Sequence, residues 1–349
     1  MERKLVTIRK VKEINPIKNA DFIELAKVDG WQCVVKKGEF QVGDLGIYFE
    51  IDSFLPIRPE FEFLRKQCYK KLVTGEEGFR LRTIKLKKKL SQGLLLPLKT
   101  FQDISDIDTN IGIDLSEKLN VIKYEPPIPA QLSGVVKGNF PSFIQKTDEE
   151  RIQNLTEYFE LYKDVEFEES EKEDGSSVSY FFNEKEFGVC SRNLELKEAE
   201  NNTLWTVAKQ IGIKESLEQC GKNVAVQGEL VGEGINKNPL LIKGQEFHIF
   251  NVYDIDKVGY MTPDDRMNFI KSLNNDKLKH VPIIKDIIKI FQECKTVDSL
   301  LDYAKGVTTM NPNKQREGLV FKANVFDENN QLISFKVINN ELLLDDNID

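Results

Sequence analysis

The chain has 349 residues, of which 40% are hydrophobic and 30% charged, and its formal net charge is -8. This composition suits a folded protein of two or three domains and is unlike that of a membrane protein, because no apolar run approaches the ~20 residues of a spanning helix. Five scattered cysteines without a CxxC pair, two histidines and a charged N-terminus argue against disulfides, structural zinc and secretion, and favour an intracellular compartment, cytoplasmic or nuclear.

The net charge conceals a difference between the two ends of the chain. Residues 1–100 carry 21 lysines and arginines against 13 acidic residues, a net charge of +8, whereas the remainder carries 28 against 44, a net charge of -16. Such asymmetry favours a basic module that binds polyanions, joined to an acidic module. An acidic module repels nucleic acid unless its carboxylates have another task, such as holding a divalent metal ion.

Residues 1–100 predict a β module. Turn signals at Asn15-Pro16, Asp29-Gly30 and Gly43-Asp44 separate four stretches in which apolar and polar residues alternate: LVTIRKV, FIELAKV, WQCVVKK and GIYFEI. Five or six short strands in about a hundred residues indicate a small barrel.

A basic run closes this module, and its alternation with Phe79 and Leu81 predicts a strand that carries cations on one face. The run consists of Arg80, Arg82, Lys85, Lys87, Lys88 and Lys89. Contact with phosphates and a merely solvated edge strand are equally open interpretations. Trp31 and Phe79 are candidate stacking platforms for bases, although a core position is the commoner role of such residues.

After a polar, proline-rich connector at residues 101–134, the pattern predicts an α+β module over residues 135–349. A helix is expected over 146–162, with Thr147 as its N-cap and Glu150 three residues later. Further helices are expected near 262–274 and 283–306. The strands expected in this module cover residues 176–183, 223–231, 247–255, 317–323 and 332–338.

Six short motifs that carry polar residues follow one another along the second module. They are Glu171-Lys172-Glu173-Asp174-Gly175, Ser191-Arg192-Asn193, Gln227-Gly228-Glu229-Leu230, Phe250-Asn251-Val252-Tyr253-Asp254, Glu317-Gly318-Leu319-Val320-Phe321-Lys322 and Ser334-Phe335-Lys336. On spacing alone, Lys172 between carboxylates would indicate a solvated charged loop. In this order, however, the motifs resemble those of the covalent nucleotidyltransferase superfamily, which contains DNA ligases, RNA ligases and mRNA-capping enzymes.

Within that superfamily the chain resembles ATP-dependent RNA ligases, and most closely the fifth RNA ligase family. The run from Asn15 to Asp44 resembles the oligonucleotide-binding (OB) barrels that hold RNA, and it precedes Lys172. Only 13 residues follow Lys336, too few for the C-terminal OB domain of DNA ligases and capping enzymes, and the segment 146–154 also resembles RNA ligases. The resemblance implies an α+β fold in which an N-terminal OB-fold β-barrel precedes an adenylyltransferase (nucleotidyltransferase) domain of antiparallel sheets flanked by helices.

The activity that the resemblance implies is ATP-dependent sealing of RNA 3′-hydroxyl and 5′-phosphate ends, at nicks in a duplex, with Mg²⁺ or Mn²⁺. A lysine would form lysyl-AMP, pass the AMP to the RNA 5′-phosphate, and the 3′-hydroxyl would then displace it. RNA would be bound by Arg80, Arg82, Lys85 and Lys87. A monomer is favoured, and no membrane partner is expected. The alternatives are another covalent nucleotidyltransferase, either a DNA ligase or a capping enzyme, and a non-catalytic OB-fold RNA-binding protein.

The resemblance also implies roles for single residues. Lys172, Lys322 and Lys336 would be catalytic, and Asp174, Glu229 and Glu317 would hold a hydrated metal ion. The residues implied in nucleotide binding are Glu171, Lys172, Gly175, Arg192, Glu229, Phe250, Lys322 and Lys336. Among them, Glu171 would accept a hydrogen bond from the adenine amino group. Phe250, with Phe247 as the alternative, would stack on the purine.

A lysine that acts as a nucleophile must be neutral, yet its ordinary pKa is about 10.4. Glu171, Glu173 and Asp174 should raise the pKa of Lys172 further, so a metal ion among the carboxylates and the cations Lys322 and Lys336 would have to act in the opposite direction.

Alternation along NVAVQGELV places Glu229 on the polar face of a strand, and Gly228 is expected to let a ligand approach the backbone. Related ligases end with Lys-x-Lys, whereas here Val337-Ile338-Asn339 follows Lys336, so the group that replaces the second lysine is not identified. His248, expected in a strand, and His280, expected in a helix connector, are interpreted as structural residues rather than ligands.

Overall fold

A computed structural model describes residues 3–72, 74–101, 109–125 and 135–345. Within it the chain forms two units. Unit 1 comprises Met1–Pro127, Gln153–Thr156 and Leu343–Asp349, and unit 2 comprises Ile128–Ile152 and Glu157–Leu342. The proline-rich part of the expected connector, Pro126–Pro129, and most of residues 101–110 lie outside the described residues.

Unit 1 is a β structure of three antiparallel sheets, with strand orders β10-β4-β1-β2-β3, β11-β5-β7-β6 and β8-β9. Its strands are β1 Val6–Pro16, β2 Ile23–Val28, β3 Trp31–Lys36, β4 Leu45–Phe49, β5 Ser53–Pro56, β6 Tyr69–Lys71, β7 Glu77–Arg80, β8 Thr83–Leu86, β9 Lys89–Gln92, β10 Leu94–Pro97 and β11 Ile122–Lys123. The four strands expected from alternation before residue 52 are therefore confirmed as β1 to β4.

The alternating pattern of these strands builds the interior of unit 1. Val6 and Ile8 on β1 and Ile47 and Phe49 on β4 are buried together in one core cluster. Residues 109–125, which fall in the expected connector, contribute Leu115, Leu119 and Val121 to the same cluster. Trp31 and Phe79 are both fully buried, so neither can serve as the stacking platform that was considered for it.

The expectation of a single strand for the basic run is wrong. β7 ends at Arg80, and β8 and β9 then form a hairpin. Lys87 and Lys88 lie at the turn with φ of 46° and 65°, so the chain reverses where the sequence pattern continued a strand. The turn between β8 and β9 thus decides where the lysine side chains of this run point. The spacing of hydrophobic residues does not predict such a turn.

Unit 2 contains two larger antiparallel sheets. The first has the order β12-β16-β15-β14-β17-β18-β19, with β20 added in parallel to β18, and the second has the order β21-β13-β22-β23. The strands are β12 Val136–Asn139, β13 Phe167–Lys172, β14 Ser176–Asn183, β15 Glu186–Ser191, β16 Leu194–Leu196, β17 Val224–Gly232, β18 Gln245–Asp254, β19 Gly259–Tyr260, β20 Lys279–His280, β21 Ile283–Ile288, β22 Gly318–Phe326 and β23 Leu332–Ile338. The five strands predicted in this module are confirmed as β14, β17, β18, β22 and β23.

The described helices are short. They are α1 Arg65–Cys68, α2 Tyr158–Leu161, α3 Thr203–Ile211, α4 Ile213–Cys220, α5 Pro263–Ser272, α6 Ile290–Glu293, α7 Val297–Tyr303 and α8 Asn340–Asp345, with 3₁₀ turns at Pro59–Leu64, Leu98–Phe101 and Ile152–Asn154. None of those helices combines the length and the apolar character that crossing a bilayer requires. The helix expected near 262–274 is confirmed as α5, where the Thr262 hydroxyl accepts from Asp265 N and Pro263 occupies the first turn.

The helix expected over 146–162 is wrong, because only the 3₁₀ turn and α2 are helical there. Thr147 does not cap a helix; its hydroxyl lies 3.0 Å from Ser177 Oγ. The amide of Lys336 donates to Glu150 O at 2.8 Å, so this segment pairs with β23. Tertiary pairing overrides the local 3.6-residue pattern here.

The helix expected over 283–306 is also wrong in its first part, where β21 pairs with β13. Ile283, Ile284, Ile287 and Ile288 are β-branched, a residue type that favours strands, and α6 and α7 occupy only the later part of the range. His280 consequently lies in the short strand β20 and not in a helix connector.

The core of unit 2 lies against one face of the larger sheet. Leu204 and Trp205 of α3 and Leu217 of α4 pack on Tyr180 and Val226 of the sheet. The Asn202 carboxamide caps α3 by accepting from the backbone amides of residues 204 and 205, and Gly212 ends it with φ of 63°.

Candidate active site

The motif residues of unit 2 meet where its two sheets are joined. Lys172 is the last residue of β13 in the smaller sheet, and Ser176 is the first residue of β14 in the larger one. Gly175 lies in the three-residue link between them. A Cβ atom at Gly175 would lie 2.4 Å from Leu230 O and 2.8 Å from Glu229 Cγ, so the link can pass this close to β17 only as glycine.

The amine of Lys172 is held by an ion pair. Its Nζ lies 2.7 Å from Glu317 Oε1, and 27% and 22% of the two side chains are exposed. Burial acts to lower the pKa of Lys172, but the carboxylates of Glu317, Glu229 and Asp174 outweigh it, and the pKa is raised. In this ligand-free form Lys172 is therefore an ammonium ion.

The raised pKa of Lys172 agrees with the expectation from sequence, but two of the carboxylates expected to cause it, those of Glu171 and Glu173, do not. Glu171 points away from Lys172, and its Oε2 accepts from the Thr309 amide at 2.9 Å and the Thr309 hydroxyl at 2.8 Å. Glu173 also points away and pairs with His248 at 2.8 Å. The link alternates like a strand, so Lys172 and Asp174 share a side that Glu171 and Glu173 do not.

Glu229 faces Lys172 from β17, as the alternation predicts. Val224, Val226 and Leu230 lie in the core, on the opposite face. Burial raises the pKa of Glu229 to about 8, and the neighbouring carboxylates of Glu317, Glu173 and Asp174 add to the shift, while Lys172 opposes it. At neutral pH Glu229 is therefore mostly protonated, and the carboxylates of Asp174 and Glu317 still outnumber the one ammonium of Lys172, so the site has an excess of negative charge.

This excess is the observation that bears on a metal ion. Among the described residues, no group of three or more His, Cys, Asp and Glu side chains is arranged to bind an ion directly. Asp174, Glu229 and Glu317 carry carboxylate oxygens, the kind of protein ligand that Mg²⁺ takes, and Mg²⁺ commonly keeps several of its waters. Asn236 holds Asp174 in position by donating to its Oδ1 at 2.8 Å.

Lys322 lies on β22 with 2% of its surface exposed. Its Nζ donates to Phe250 O at 2.8 Å and to Asn251 Oδ1 at 2.5 Å. Burial lowers the pKa of Lys322 to about 8, with Arg266 acting in the same direction and Glu149 and Glu168 against it. This lysine is therefore a cation that loses its proton close to neutral pH.

Two phenylalanines were candidates for stacking on a base, and the structure distinguishes them. Phe247 is 2% exposed and packs in the core, with its ring centroid 4.7 Å from that of Tyr180. Phe250 is only partly buried, and its ring centroid lies 5.6 Å from Lys322 Nζ. Arg266, paired with Glu168 at 2.6 Å, also donates to Phe250 O at 3.3 Å and so fixes the backbone at Phe250.

Two acidic residues, Asp148 and Glu149, lie beside the outer cations. Asp148 Oδ1 is 2.9 Å from Arg192 Nη2 and 4.0 Å from Lys336 Nζ. Glu149 Oε1 is 3.8 Å from Lys322 Nζ, and Glu149 accepts a hydrogen bond from the Ser334 hydroxyl. The first residues of the segment expected to be a helix thus place two carboxylates beside the cations Arg192, Lys322 and Lys336.

The expected role of Gly228 is wrong, because protein and not ligand occupies the space at this glycine. A Cβ atom there would lie 2.4 Å from His248 O and 2.6 Å from the Phe247 ring. Ile338, two residues after Lys336, is 3% exposed and apolar. No cation comes from that position.

The four basic residues expected to contact RNA lie in unit 1. Arg80 at the end of β7 places its guanidinium 4.1 Å from the Tyr124 ring centroid. Lys85 and Lys87 are exposed on the β8-β9 hairpin, and Arg82 is partly exposed just before it. An aromatic ring under one of these four arginines is thus present in unit 1, and Tyr124 supplies it.

Sequence reasoning missed several residues that build the site. Thr309 holds Glu171, Arg266 holds Phe250, and His248 holds Glu173, and each comes from an element far along the chain from its partner. Asn251 was the exception, because it stands beside Phe250 inside a quoted motif. For the other three the sequence carries no local signal, since only the folded sheets bring them together.

Comparison with known proteins adds to this geometry. A family model described as an OB-fold domain matches residues 5–98, and one described as RNA ligase matches residues 165–338. Among curated proteins, no sequence matches significantly.

Among solved structures, the chain is similar to an RNA ligase of Naegleria gruberi, with 43% identity. A glutamate-to-alanine mutant of that ligase with AMP and Mn has a TM-score of 0.88, and the match covers 98% of each chain. A lysine-to-alanine mutant with ATP and Mn has a TM-score of 0.88, with 97% of this chain and 98% of that chain covered. The same ligase with PPi has a TM-score of 0.88 and 98% coverage of both chains.

Proposed function

The chain belongs to the RNA ligase family, and we propose that it seals 3′-hydroxyl and 5′-phosphate RNA ends through a lysyl-adenylate on Lys172. The observation that carries the proposal is the position of Lys172, paired with Glu317 and facing Glu229 at the junction of two sheets. A similar ligase has been solved with ATP, AMP and PPi, the nucleotide substrate and the two leaving products expected of an ATP-dependent ligation as a whole. Mn in those structures supports a divalent metal.

In the first step, Lys172 Nζ attacks the α-phosphorus of ATP. A nitrogen–phosphorus bond forms, the bond to the β,γ-phosphates breaks, and PPi leaves. Lys172 must first give up a proton, which requires the carboxylates around it to be engaged elsewhere. A divalent ion, when bound among Asp174, Glu229 and Glu317 through its waters, supplies positive charge that offsets these carboxylates and the phosphate oxygens.

The cations of β22 and β23 bind the reacting phosphate. Lys322 and Lys336 stabilise negative charge on the α-phosphate as it is transferred, and Arg192 contacts the ribose or a phosphate. Before ATP enters, Asp148 and Glu149 lie beside these cations. The nucleotide phosphates replace those two carboxylates as anionic partners.

The nucleobase is bound on the other side of Lys322. Phe250 stacks on the adenine, and its backbone is fixed by Arg266 and Lys322. Glu171 accepts a hydrogen bond from the adenine amino group, which favours ATP over GTP. Thr309 sets the direction of the Glu171 carboxylate for that contact.

The second and third steps use RNA. An oxygen of the RNA 5′-phosphate attacks the phosphorus of lysyl-AMP and releases Lys172, and the RNA 3′-hydroxyl then attacks the 5′-phosphate and expels AMP. The substrate we propose is a nick in a duplex. Unit 1 binds the RNA backbone through Arg80, Arg82, Lys85 and Lys87, whose charge complements phosphate.

A nicked RNA duplex tests this route. With ATP and Mg²⁺, the wild-type protein should seal a labelled 5′-phosphate nick, and Lys172→Ala should not. Because the third step does not need the lysine amine, Lys172→Ala should still seal a nick whose 5′-phosphate already carries AMP, without ATP. Sealing of the unmodified nick by Lys172→Ala would contradict the proposal. The same two strands without a template show whether a duplex is required.

A further inference from the structure

A buried histidine lies between two carboxylates, one of which belongs to the residue that follows Lys172 in the chain. His248 Nδ1 is 2.9 and 2.8 Å from the two carboxylate oxygens of Glu173, and His248 Nε2 is 2.9 Å from Glu246 Oε2. Glu246 is in turn 2.7 Å from Lys279 Nζ on the neighbouring strand β20. We call the first three residues the Glu173–His248–Glu246 chain.

Burial makes this arrangement specific. The Glu173 side chain has no exposed surface and that of His248 is 3% exposed, whereas Glu246 is 28% exposed. A buried carboxylate is costly unless it is paired and hydrogen-bonded. Since an ionised carboxylate only accepts hydrogen bonds, a histidine with a carboxylate at each ring nitrogen donates from both and is an imidazolium ion.

The electrostatic balance agrees with this geometry. Burial acts to lower the pKa of His248, but its hydrogen bonds and charge interactions with Glu173 and Glu246 outweigh burial, and the pKa is raised. His280, on the adjacent strand β20, shows the opposite case. Its Nδ1 lies 2.6 Å from the uncharged carbonyl oxygen of Val281, and burial lowers its pKa to about 3.

The Glu173–His248–Glu246 chain connects the segment that carries Lys172 to the strand pair that carries Glu229. Glu173 lies between Lys172 and Asp174 in the link from β13 to β14, so fixing its side chain fixes the link. His248 is on β18 and is the register partner of Glu229 on β17. The His248 side chain therefore ties the segment of the nucleophile to the strand pair that carries Glu229.

We propose that His248 is a positioning residue for adenylyl transfer: through the Glu173–His248–Glu246 chain it sets the position of Lys172 relative to Glu229 and offsets the charge of Glu173. The proposal rests on the proposed adenylylation of Lys172. His248 touches neither nucleotide nor Lys172 in this account. It acts by holding Glu173, which lies between Lys172 and Asp174 in the link.

The hydrogen bond itself can be observed without any activity. The sequence has only two histidines, so ¹⁵N-histidine NMR of the full chain gives two sets of ring signals, which His280→Gln assigns. The Nδ1–H proton of His248 should be visible and slow to exchange with water, because it is bonded to a fully buried carboxylate. An Nδ1–H signal that exchanges with water as fast as that of a free histidine would show that the hydrogen bond between His248 and Glu173 is absent.

The consequence for catalysis is a change in rate rather than in ATP binding. In single-turnover formation of lysyl-AMP, His248→Gln should lower the maximal rate on the order of 10- to 100-fold, since small misplacements of a nucleophile have effects of that size. The ATP concentration for half-maximal rate should stay within about threefold, because the residues proposed to bind ATP are unchanged. His280→Gln should adenylylate at the wild-type rate.

A second pair of variants separates positioning from simple destabilisation. The double variant Glu173→Gln/His248→Gln replaces the ion pair with two neutral amides and should recover most of the lost rate. Should His248→Gln not fold, the other side of the pair gives the same comparison: Glu173→Gln keeps an acceptor for Nδ1–H and should be near wild type, whereas Glu173→Ala should be slow.

The outcomes are distinguishable from a failure of the proposed function. If wild-type protein forms no lysyl-AMP, the proposed function fails. The NMR result still shows whether His248 is hydrogen-bonded to Glu173. If wild-type protein is active and His248→Gln is equally fast, the positioning role is wrong. It is also wrong if the double variant is no faster than His248→Gln, or if Glu173→Ala is as fast as Glu173→Gln.

Discussion

At the scale of single residues, the ion pair between Lys172 and Glu317 sets the first requirement of the chemistry. The pKa of Lys172 is raised in the ligand-free form, so the amine cannot attack until positive charge enters the carboxylate cluster. ATP arriving with a divalent ion supplies that charge. Glu317, which keeps Lys172 protonated before ATP binds, is therefore also one of the residues that we propose to hold the metal ion.

Lys322 provides a pH-dependent prediction. Its pKa is lowered to about 8, so its ammonium form, which binds phosphate, is lost as the pH rises through that value. The dissociation constant of AMP should consequently increase between pH 7 and 9, by at most about tenfold per pH unit. Isothermal titration in the Lys172→Ala background, where no covalent step occurs, measures this dependence.

Glu229 titrates in the same range, with a pKa raised to about 8, so a control is needed. Lys322→Gln keeps the contribution of Glu229 and removes that of Lys322. The pH dependence should therefore be weaker in Lys322→Gln than in the parent protein. Equal slopes would show that Lys322 does not change its charge on binding.

The same lysine affects stability in the opposite direction. Because the pKa of Lys322 in the folded protein lies below its value in the unfolded chain, the free energy of unfolding should rise with pH from about 8 to about 10.4.

At the scale of elements, sequence patterns predicted strands better than helices. Alternation located β14, β17, β18, β22 and β23, because each has one face in a core and carries its polar residue at a fixed phase. The same reasoning placed Glu229 correctly. It failed for 146–162, whose apolar spacing suits a helix but whose backbone pairs with β23.

The site divides in the same way. Motif residues such as Lys172 and Lys322 were identified because they stand on strands in a recognisable order. The directions of Glu171 and Glu173 were not, since their partners Thr309 and His248 come from distant parts of the chain. Residues that contact a ligand leave a local pattern, whereas residues that hold them in place leave none.

The pairing of β17 with β18 leads to a prediction about Gly228. An alanine there would place its Cβ 2.4 Å from His248 O, which is backbone and cannot move aside without disturbing the ladder. Gly228→Ala should lower the free energy of unfolding by about 1–3 kcal/mol, the usual effect of overpacking. Urea denaturation measures it, with Gly138→Ala in β12 as control, because nothing lies within 4 Å of a Cβ at Gly138. A Gly228→Ala variant as stable as Gly138→Ala would contradict the packing described.

At the scale of the whole molecule, the uneven distribution of charge follows the division of labour that we propose. Residues 1–100 carry a net charge of +8 and belong to unit 1, which holds the basic hairpin. The acidic remainder contains the carboxylates around Lys172. Positive charge in one unit suits RNA phosphates, and negative charge in the other suits a hydrated metal ion.

Covalent labelling shows whether Lys172 carries AMP. The full chain is incubated with Mg²⁺ and ATP labelled on its α-phosphate, resolved on a denaturing gel, and the labelled peptide is identified by mass spectrometry. We expect label on Lys172 that is absent in Lys172→Ala, retained in the exposed-lysine control Lys163→Ala, and not matched by GTP. Wild-type protein without label, or label that persists in Lys172→Ala, would contradict this expectation.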